Sequence, residues 1–264
     1  NKRHQDSVLS SLLQLYKDSL LEIAQVLSDQ NTRVSVPSDY TYKDLSIKQV
    51  ADLKNQYGEI EDVYELSPMQ EGLYYHAIAD PDSSAYFVQL GYRVSGQYNP
   101  ELIVDSFSEL ITQHAVLRTV FRDDLTSIPI QIVRQAVSPD VKVIDLTSKS
   151  EQEQDAFLEQ YLEEDRQRGF DLSQGELFRL SVICLSPDSH VKVWSNHHLI
   201  LDGWSFTSVL SEFDKIYQSK LKGEVIQQLP VKLYSDYVVW LRGFDKQACK
   251  DYWSSYLEGY DTIS

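Results

Sequence analysis

The sequence predicts an α+β fold in which helices pack against a mostly antiparallel or mixed sheet. Segments with apolar residues at helical spacing alternate with short runs rich in Val, Ile, Phe and Tyr. Hydrophobic residues make up 42% and charged residues 24% of the 264-residue chain, which is ordinary for a globular protein. This length suits one large domain, or a lobe with an appendage.

The chain opens with a predicted helix and linker. Apolar side chains recur at helical spacing over residues 8–27, which predicts an amphipathic helix that needs a partner surface. Residues 28–44 are polar and irregular and contain Pro37, so we interpret them as a linker.

A short second helix is predicted before the globular body. Ser46 and Gln49 have the spacing of a capping box, which indicates a helix that runs toward Gln56. The organisation predicted from these signals is a helical and linker extension over residues 1–59, followed by a lobe over residues 60–264.

The first half of the predicted lobe begins with a helix that Ser67 caps. Pro68 stands at its first position and Gln70 three residues after the cap, a combination typical of helix N-termini. The other elements predicted here are strands at 86–94, 117–122, 129–134 and 141–144, a helix that begins at Asn99-Pro100, and an acidic helix at 150–166.

The second half contains a predicted hairpin and two helices. Phe178–Leu185 and Val191–Asn196 are strand-like runs joined by a Ser-Pro-Asp-Ser turn. One helix is predicted from Phe206 to Ser219 and a last one from Ser235 to about Leu257.

Composition excludes several classes of function. The net charge is −16, from 40 acidic and 24 basic residues, and such a surface repels nucleic-acid phosphates. No apolar run is long enough to span a membrane. Cys184 and Cys249 lie far apart, which favours free buried thiols and a cytoplasmic location. The start leads into no secretory apolar core. Since the chain begins without Met, we expect it to be a piece of a longer protein.

The segment from Asn196 to Ser205 carries the candidate chemistry. It follows a predicted strand and precedes a predicted helix, so its side chains lie at a strand end, where scaffolds commonly present functional groups. His197 and His198 are adjacent and therefore point in opposite directions. We predict that His198 faces a substrate channel and that His197 points inward.

An imidazole suits proton transfer because its unperturbed pKa of about 6.5 lies close to neutrality. Asp202 can fix a tautomer or hold the loop through an ion pair, and Gly203 allows close backbone approach. Two alternatives remain at this point: both histidines are structural, or they bind a metal, although adjacent histidines suit one metal ion poorly. Ser205 lacks the Gly-x-Ser-x-Gly frame of a nucleophile.

The motifs of this chain resemble those of the condensation domains of nonribosomal peptide synthetases. His197-His198-x-x-x-Asp202-Gly203 is similar to the HHxxxDG signature of that family. Three further segments resemble its other motifs in the same order: Ser67-Pro68-Met69-Gln70-Glu71-Gly72 with His76 (SPxQxGxxxH), Leu117-Arg118-Thr119-Val120-Phe121 (LRTxF) and Tyr234-Ser235-Asp236-Tyr237 with Trp240 (YxDYxxW).

The resemblance implies one chloramphenicol-acetyltransferase-like lobe that works with a second lobe, absent here, across a substrate tunnel. The implied reaction is amide formation between a donor peptidyl thioester and an acceptor aminoacyl thioester. Both substrates would be held on phosphopantetheine of upstream and downstream peptidyl carrier domains, with no cofactor bound directly. Without the second lobe, we expect the fragment to be inactive.

Roles for individual residues also follow from the resemblance. His198 is the implied catalytic residue, as general base or as a positioning group for the nucleophile, and the backbone of Gly203 would assist beside the reacting carbonyl. His197, Asp202, Arg118 and Trp204 are implied to be structural at the active site, Asp202 as an ion-pair member.

The extension is also similar to a known junction. Val36-Pro37-Ser38-Asp39-Tyr40 resembles the segment at which an epimerization domain passes into a condensation domain, which implies a donor that ends in a D-residue. Trp204 is compatible with that subtype. A docking appendage is the competing interpretation of residues 1–59.

The sequence departs from the family pattern at two places, and rival functions remain. Gln113-His114-Ala115 stands where Arg-His-Glu is usual, and Glu176 where Pro is common, which puts local packing in doubt. An epimerization domain would carry Val in place of Trp204, and a cyclization domain would carry aspartates in place of the histidines. The sequence also leaves open a free-standing acyltransferase and a catalytically silent recruitment platform.

Overall fold

A computed structural model describes residues 6–29, 35–81, 83–224 and 232–260 of the chain. It divides into two compact units, Asn1–Val36 and Pro37–Ser264. In the first unit, α1 (Asp6–Asp29) confirms the helix predicted at 8–27. Its described apolar side chains are exposed, among them Leu12, Leu13 and Tyr16.

The second unit is an α+β lobe, as predicted. Its helices and strands are α2 (Ile47–Tyr57), β1 (Ile60–Glu65), α3 (Pro68–Ala79), β2 (Phe87–Ser95), α4 (Pro100–Gln113), β3 (Thr119–Arg122), β4 (Ile130–Arg134), β5 (Asp140–Asp145), α5 (Glu151–Arg168), β6 (Phe178–Ser186), β7 (Ser189–His197), α6 (Gly203–Lys222), α7 (Tyr234–Leu241) and α8 (Lys246–Tyr256). The predicted capping boxes at Ser46 and Ser67 are both present.

The strands form two sheets. The first has the order β1-β4-β3 and is antiparallel throughout. The second has the order β2-β7-β6-β5, in which only the β5–β6 pair is parallel. The predicted hairpin is confirmed as β6–β7. This second sheet carries the candidate site because β7 ends at His197.

Helices α4 and α6 pack with the second sheet around a cluster of aromatic rings. Trp194 on β7 is fully buried, and its ring centroid lies 4.9 Å from that of Phe213, 5.6 Å from that of Phe178 and 6.1 Å from that of Phe107. Buried aromatic residues contribute large apolar areas to a core. The strand that ends at His197 is therefore anchored in the core at Trp194.

The predicted linker at 28–44 is wrong over its last part. Tyr40, Tyr42 and Leu45 are buried and belong to the same apolar cluster as Val63 of β1. The backbone N–H of Tyr42 donates to the Val63 carbonyl at 2.7 Å. Residues 37–59 thus pack within the lobe, since Tyr40, Tyr42 and Leu45 contact residues of the first sheet. These apolar residues are irregularly spaced, so the sequence shows no periodic pattern that would predict their burial.

Two other predicted elements differ in the structure. The strand predicted at 117–122 is shorter in the structure. Ala115–Arg118 forms a 3-10 helix, and the strand that follows it, β3, begins at Thr119. The single helix predicted from Ser235 to Leu257 is two helices, because Asp245 caps a new N-terminus by accepting from the N–H groups of Gln247 and Ala248.

The two cysteines also have different environments. Cys184 on β6 is buried, as predicted, whereas Cys249 is exposed. The prediction fails at Cys249 because none of the described residues of α8 is buried.

Candidate active site

The candidate site lies in the loop between β7 and α6. Hydrogen bonds fix this loop at its start: the His198 N–H donates to the Tyr86 carbonyl at 2.8 Å, and the Ile200 N–H donates to the His197 carbonyl at 3.2 Å. At its end Asp202 is the N-cap of α6, where its carboxylate accepts from the Ser205 N–H at 2.8 Å. The loop is short and bonded to its surroundings, so its two imidazoles have defined directions.

His197 is enclosed. Only 8% of the residue is exposed, and its Nδ1 accepts a hydrogen bond from the Leu199 N–H at 3.1 Å. The rings of Tyr86 and Phe170 stand against it, with centroids at 6.2 and 6.5 Å. Burial, with a smaller effect of the neighbouring His198, lowers the pKa of His197 to about 4. His197 is therefore neutral near pH 7 and serves as an acceptor inside the fold.

His198 lies on the opposite side and is only partly buried. Its Nδ1 is 2.7 Å from the carbonyl oxygen of Leu201. Because a carbonyl oxygen can only accept, Nδ1 carries the proton in the neutral ring and Nε2 keeps its lone pair. That is the tautomer that a proton acceptor requires.

Each histidine borders a different cavity. His198 lines a cleft of about 820 Å³, whereas His197 touches the edge of a second cavity of about 690 Å³. The walls of the larger cleft come from segments far apart in the sequence: Ser67, Met69, Gln70 and Leu73 of the first motif, 113–116 and Arg118, the loop 198–202, Ser205, and 232–234 with Tyr237. Residues from all four motifs therefore meet around His198.

Asp202 caps the helix instead of joining an ion pair. Its carboxylate accepts from both the N–H and the hydroxyl of Ser205, at 2.8 and 2.7 Å. These two bonds are the main reason that the pKa of Asp202 lies below its ordinary value. The structure thus differs from the ion pair that we expected, because within the described part of the chain the carboxylate is committed to the N-terminus of α6.

Arg118 has a different carboxylate partner. Its guanidinium is buried and forms an ion pair with Glu61 at 2.8 Å. It also donates to the carbonyl oxygens of Ile111 and Arg134. Arg118 thus joins β1, the end of α4 and β4 beside the cleft.

Gly203 and Trp204 begin α6. A Cβ atom at Gly203 would meet no heavy atom within 4 Å, so the packing of the described chain does not require glycine there. Trp204 is 87% exposed. Its ring therefore has almost no surface to pack against within the described residues, and the structural role expected for Trp204 stays a prediction.

The polar side chains at the departures from the family pattern have local partners. Gln113, which stands in place of the usual Arg, donates from Nε2 to a carboxylate oxygen of Glu109 at 3.2 Å. Glu176, which stands in place of the common Pro, lies 3.3 Å from the guanidinium of Arg134. The amide of Gln113 thus has a hydrogen-bond acceptor, and the carboxylate of Glu176 has a cationic partner.

Two side-chain contacts beside the site were missed by sequence reasoning. The Gln131 side chain, fully buried on β4, contacts Gln70 of α3, and the Tyr234 hydroxyl donates to Ser67 Oγ at 3.1 Å. The one available signal for the first was the polar residue inside the run Ile-Gln-Ile-Val at 130–133. The second pair joins two motifs that are 167 positions apart, which periodicity does not reveal.

The described residues offer neither a metal-binding cluster nor a membrane-spanning helix. Among residues 6–29, 35–81, 83–224 and 232–260, no group of three or more His, Cys, Asp or Glu side chains could hold a metal ion. None of the helices in these same ranges combines the length and the apolar character that crossing a membrane requires.

The two sheets, their packed helices and the histidine beyond a strand end agree with the chloramphenicol-acetyltransferase-like lobe that the motifs implied. The chain belongs to the condensation domain family, because the family profile described as "Condensation domain" matches residues 60–264. This match confirms the family that the motifs indicated and begins at the predicted lobe boundary.

Relatives of known name agree with this assignment. The chain is 35% identical over 264 residues to bacitracin synthase 1 of Bacillus licheniformis, covering 99% of the chain and 5% of the relative. It is 33% identical over 259 residues to bacitracin synthase 3 of the same organism, covering 98% and 4%. The chain thus spans only a small part of these relatives.

The fold is similar to that of a solved condensation domain. The starter condensation domain of the rhizomide synthetase RzmA matches with a TM-score of 0.65 at 20% identity, over 76% of this chain and 49% of that one. The predicted fold class is confirmed by this likeness.

Proposed function

We propose that this lobe, as part of a longer synthetase, forms an amide bond between a donor acyl thioester and an acceptor amine, both tethered to carrier domains. The observation that supports this most directly is the placement of His198. Its imidazole lies at the wall of an 820 Å³ cleft, with Nδ1 bonded to a backbone carbonyl and Nε2 left as an acceptor.

The geometry supports separate roles for His198 and for the tethering of the substrates in this reaction. Nε2 of His198 either accepts the proton of the attacking amine or holds the amine in position by a hydrogen bond. The nitrogen lone pair attacks the thioester carbonyl, the C–N bond forms and the C–S bond breaks, and the thiol leaves with a proton. Since a thioester is already reactive and both substrates are tethered, proximity supplies much of the rate.

The N-terminus of α6 is the proposed site of charge stabilisation. Gly203 occupies the first helical position, where backbone N–H groups lack intrahelical partners and the helix dipole is positive. The open space beside its Cα leaves room for a carbonyl group. Developing negative charge on the thioester oxygen would be stabilised there.

We propose that a second lobe completes the cleft. Its contact surface would include the aromatic side chains that α7, α8 and the turn between them leave exposed: Tyr237, Trp240, Phe244, Tyr252, Trp253 and Tyr256. Exposed apolar patches of this kind commonly mark interaction sites. The chain spans 49% of the solved RzmA domain, and this share supports the proposal that a second lobe makes up the rest of such a domain.

The proposed carriers, donor stereochemistry and location extend this function. Upstream and downstream carrier domains would deliver the substrates on phosphopantetheine, in the cytoplasm. The segment Val36–Tyr40 and the helix α1 support an epimerization domain upstream, and hence a donor that ends in a D-residue. A direct test compares carriers loaded with D- and L-terminated donors: faster product formation from the D-form is expected, and equal rates or an L-preference would contradict this subtype.

The central test replaces His198 with Ala in the full-length parent. We expect amide formation to fall by about 10²–10⁴-fold, the usual contribution of acid–base catalysis, with unchanged carrier loading. The matched control is His197→Asn, which keeps an acceptor for the Leu199 N–H and should retain most activity. Product formation at the wild-type rate by His198→Ala would contradict the proposed role.

A further inference from the structure

Gln70 and Gln131 form a buried pair of amides between α3 and β4. The residues are 5% and 0% exposed. Gln131 Nε2 donates to Gln70 Oε1 at 2.9 Å, and Gln70 Nε2 lies 3.4 Å from Gln131 Oε1. Two amide side chains so deeply buried are stable only when their donors and acceptors are used.

The remaining bonds of this pair reach three backbone groups. Gln70 Oε1 also accepts from the Ser67 N–H at 3.1 Å, and Gln131 Nε2 also donates to the Glu65 carbonyl at 3.1 Å. Gln70 Nε2 donates to the Leu199 carbonyl at 3.2 Å. All four amide hydrogens of the pair are therefore used, and the orientation of each amide is fixed by its partners.

Leu199 is the residue that follows His198, and it is held from both sides. Its carbonyl accepts from Gln70, and its N–H donates to Nδ1 of His197 at 3.1 Å. The peptide unit between His198 and Leu199 is thus held through its N–H, and the next unit, between Leu199 and Ile200, through its carbonyl. A shift of Gln70 would move Leu199 and, through it, the adjoining residue His198.

Gln131 reaches this position because of strand alternation on β4. Its neighbours Ile130 and Ile132 point into the apolar cluster that contains Val63 and Val120. Gln131 therefore points to the opposite face, toward α3. The pair joins the first sheet to a loop that follows a strand of the second sheet.

We propose that the Gln70–Gln131 pair sets the position of the loop that carries His198, so that Gln131 is a positioning residue for amide formation. This inference rests on the proposed function. Gln131 touches no reacting group and acts through Gln70 and Leu199. Loss of its amide removes two of the four hydrogen bonds that hold the Gln70 side chain. Misplacement of a reacting group by about 1 Å can lower a rate by about 100-fold.

The test uses the full-length parent with both carriers loaded, and it measures the amide-forming rate at saturating carrier concentration. Gln131→Met and Gln131→Leu keep the approximate size of the side chain and remove its hydrogen bonds. We expect each to lower the rate at least about tenfold while the carrier concentration for half-maximal rate stays unchanged. The stability control is Ile132→Ala, which creates a cavity on the other face of β4 and should lower the melting temperature without a comparable loss of rate.

A second arm separates positioning from general destabilisation. In a His198→Ala background, Gln131→Met should cause little further loss, because a residue that acts through His198 has nothing left to position. A full additional tenfold loss in that background would overturn the inference, as would a rate for both Gln131 variants equal to that of Ile132→Ala. If the wild-type parent forms no amide from loaded carriers, it is the proposed function that fails.

Discussion

His197 and His198 are neighbours in sequence but belong to two different regions of the lobe. The packed side comprises His197 with Tyr86, Phe170, Arg179 and Asp165. The cleft side comprises His198, Leu201, Asp202 and Gly203 beside the larger cavity. One position along the chain at the end of β7 separates an imidazole that is only 8% exposed, at the smaller cavity, from one that lines the larger cleft.

The packed side is held by buried ionic and aromatic contacts, whereas the cleft side carries the residues proposed for the chemistry. On the packed side, Arg179 forms an ion pair with Asp165 at 2.7 Å and lies 4.2 Å from the centroid of Phe170, which in turn contacts His197. On the cleft side, the bonds run mainly to backbone groups of the loop itself. We therefore expect substitutions on the packed side to change stability and those on the cleft side to change rate.

The largest expected effect on stability comes from Arg179→Met. The change leaves the carboxylate of Asp165, whose side chain is 5% exposed, without its cation. Removal of one partner from a buried pair typically costs about 3–5 kcal/mol. Chemical denaturation measures it, and Arg93→Met is the matched control, because its pair with Asp155 on the same helix is solvent-exposed and worth below about 1 kcal/mol. Equal losses of unfolding free energy from the two variants would show that the packed side contributes no special stability.

The next effect is a pH dependence from His197. Its pKa is about 4 in the folded chain and near 6.5 in the unfolded chain, so only the unfolded state gains this proton between these values. The free energy of unfolding should therefore be unaffected by this group above pH 6.5 and fall by about 3 kcal/mol as the pH drops to 4. The measurement compares wild type with His197→Asn across this range. Parallel pH curves for the two proteins would show that His197 is not held neutral by burial.

A smaller effect is expected at the helix cap. Asp202→Ala removes the acceptor for the Ser205 N–H and should cost about 1 kcal/mol. Asp202→Asn keeps a good cap and should cost much less. Thermal melts of the two variants decide this point. If Asp202→Asn proved as destabilising as Asp202→Ala, the charge of the carboxylate would contribute more to stability than its hydrogen bond at the cap. That result would favour the ion pair first expected for Asp202.

The smallest effect on stability is expected from Gly203→Ala. The added Cβ enters open space in the first turn of α6, so the free energy of unfolding should change by less than about 0.5 kcal/mol. If a substrate carbonyl approaches this position, the amide-forming rate of the full-length parent should nevertheless fall. An unchanged rate would place the reacting carbonyl elsewhere.

Most of the helices and strands were predictable because their signals are local. The capping boxes at Ser46 and Ser67 and the β6–β7 hairpin each depend on residues close together in the chain. The segment 235–257 was predicted as one helix because an Asp such as Asp245 can lie inside a helix or cap a new one. In the structure its carboxylate accepts from the Gln247 and Ala248 N–H groups, so a new helix begins there. Tyr40 and Tyr42 were misjudged because their burial depends on a sheet formed later in the sequence.

The sequence by itself determined the family, the order of the elements and the residues at the end of β7, since motifs and turn signals are carried by short segments. The alternation of side chains along a strand also determined that only one of the two histidines could face a given cavity. Only the tertiary structure decided that Arg118 pairs with Glu61 and that Gln131 contacts Gln70. The physical reason is that each of these polar groups had several possible partners, and the packing of two sheets and their helices selected one.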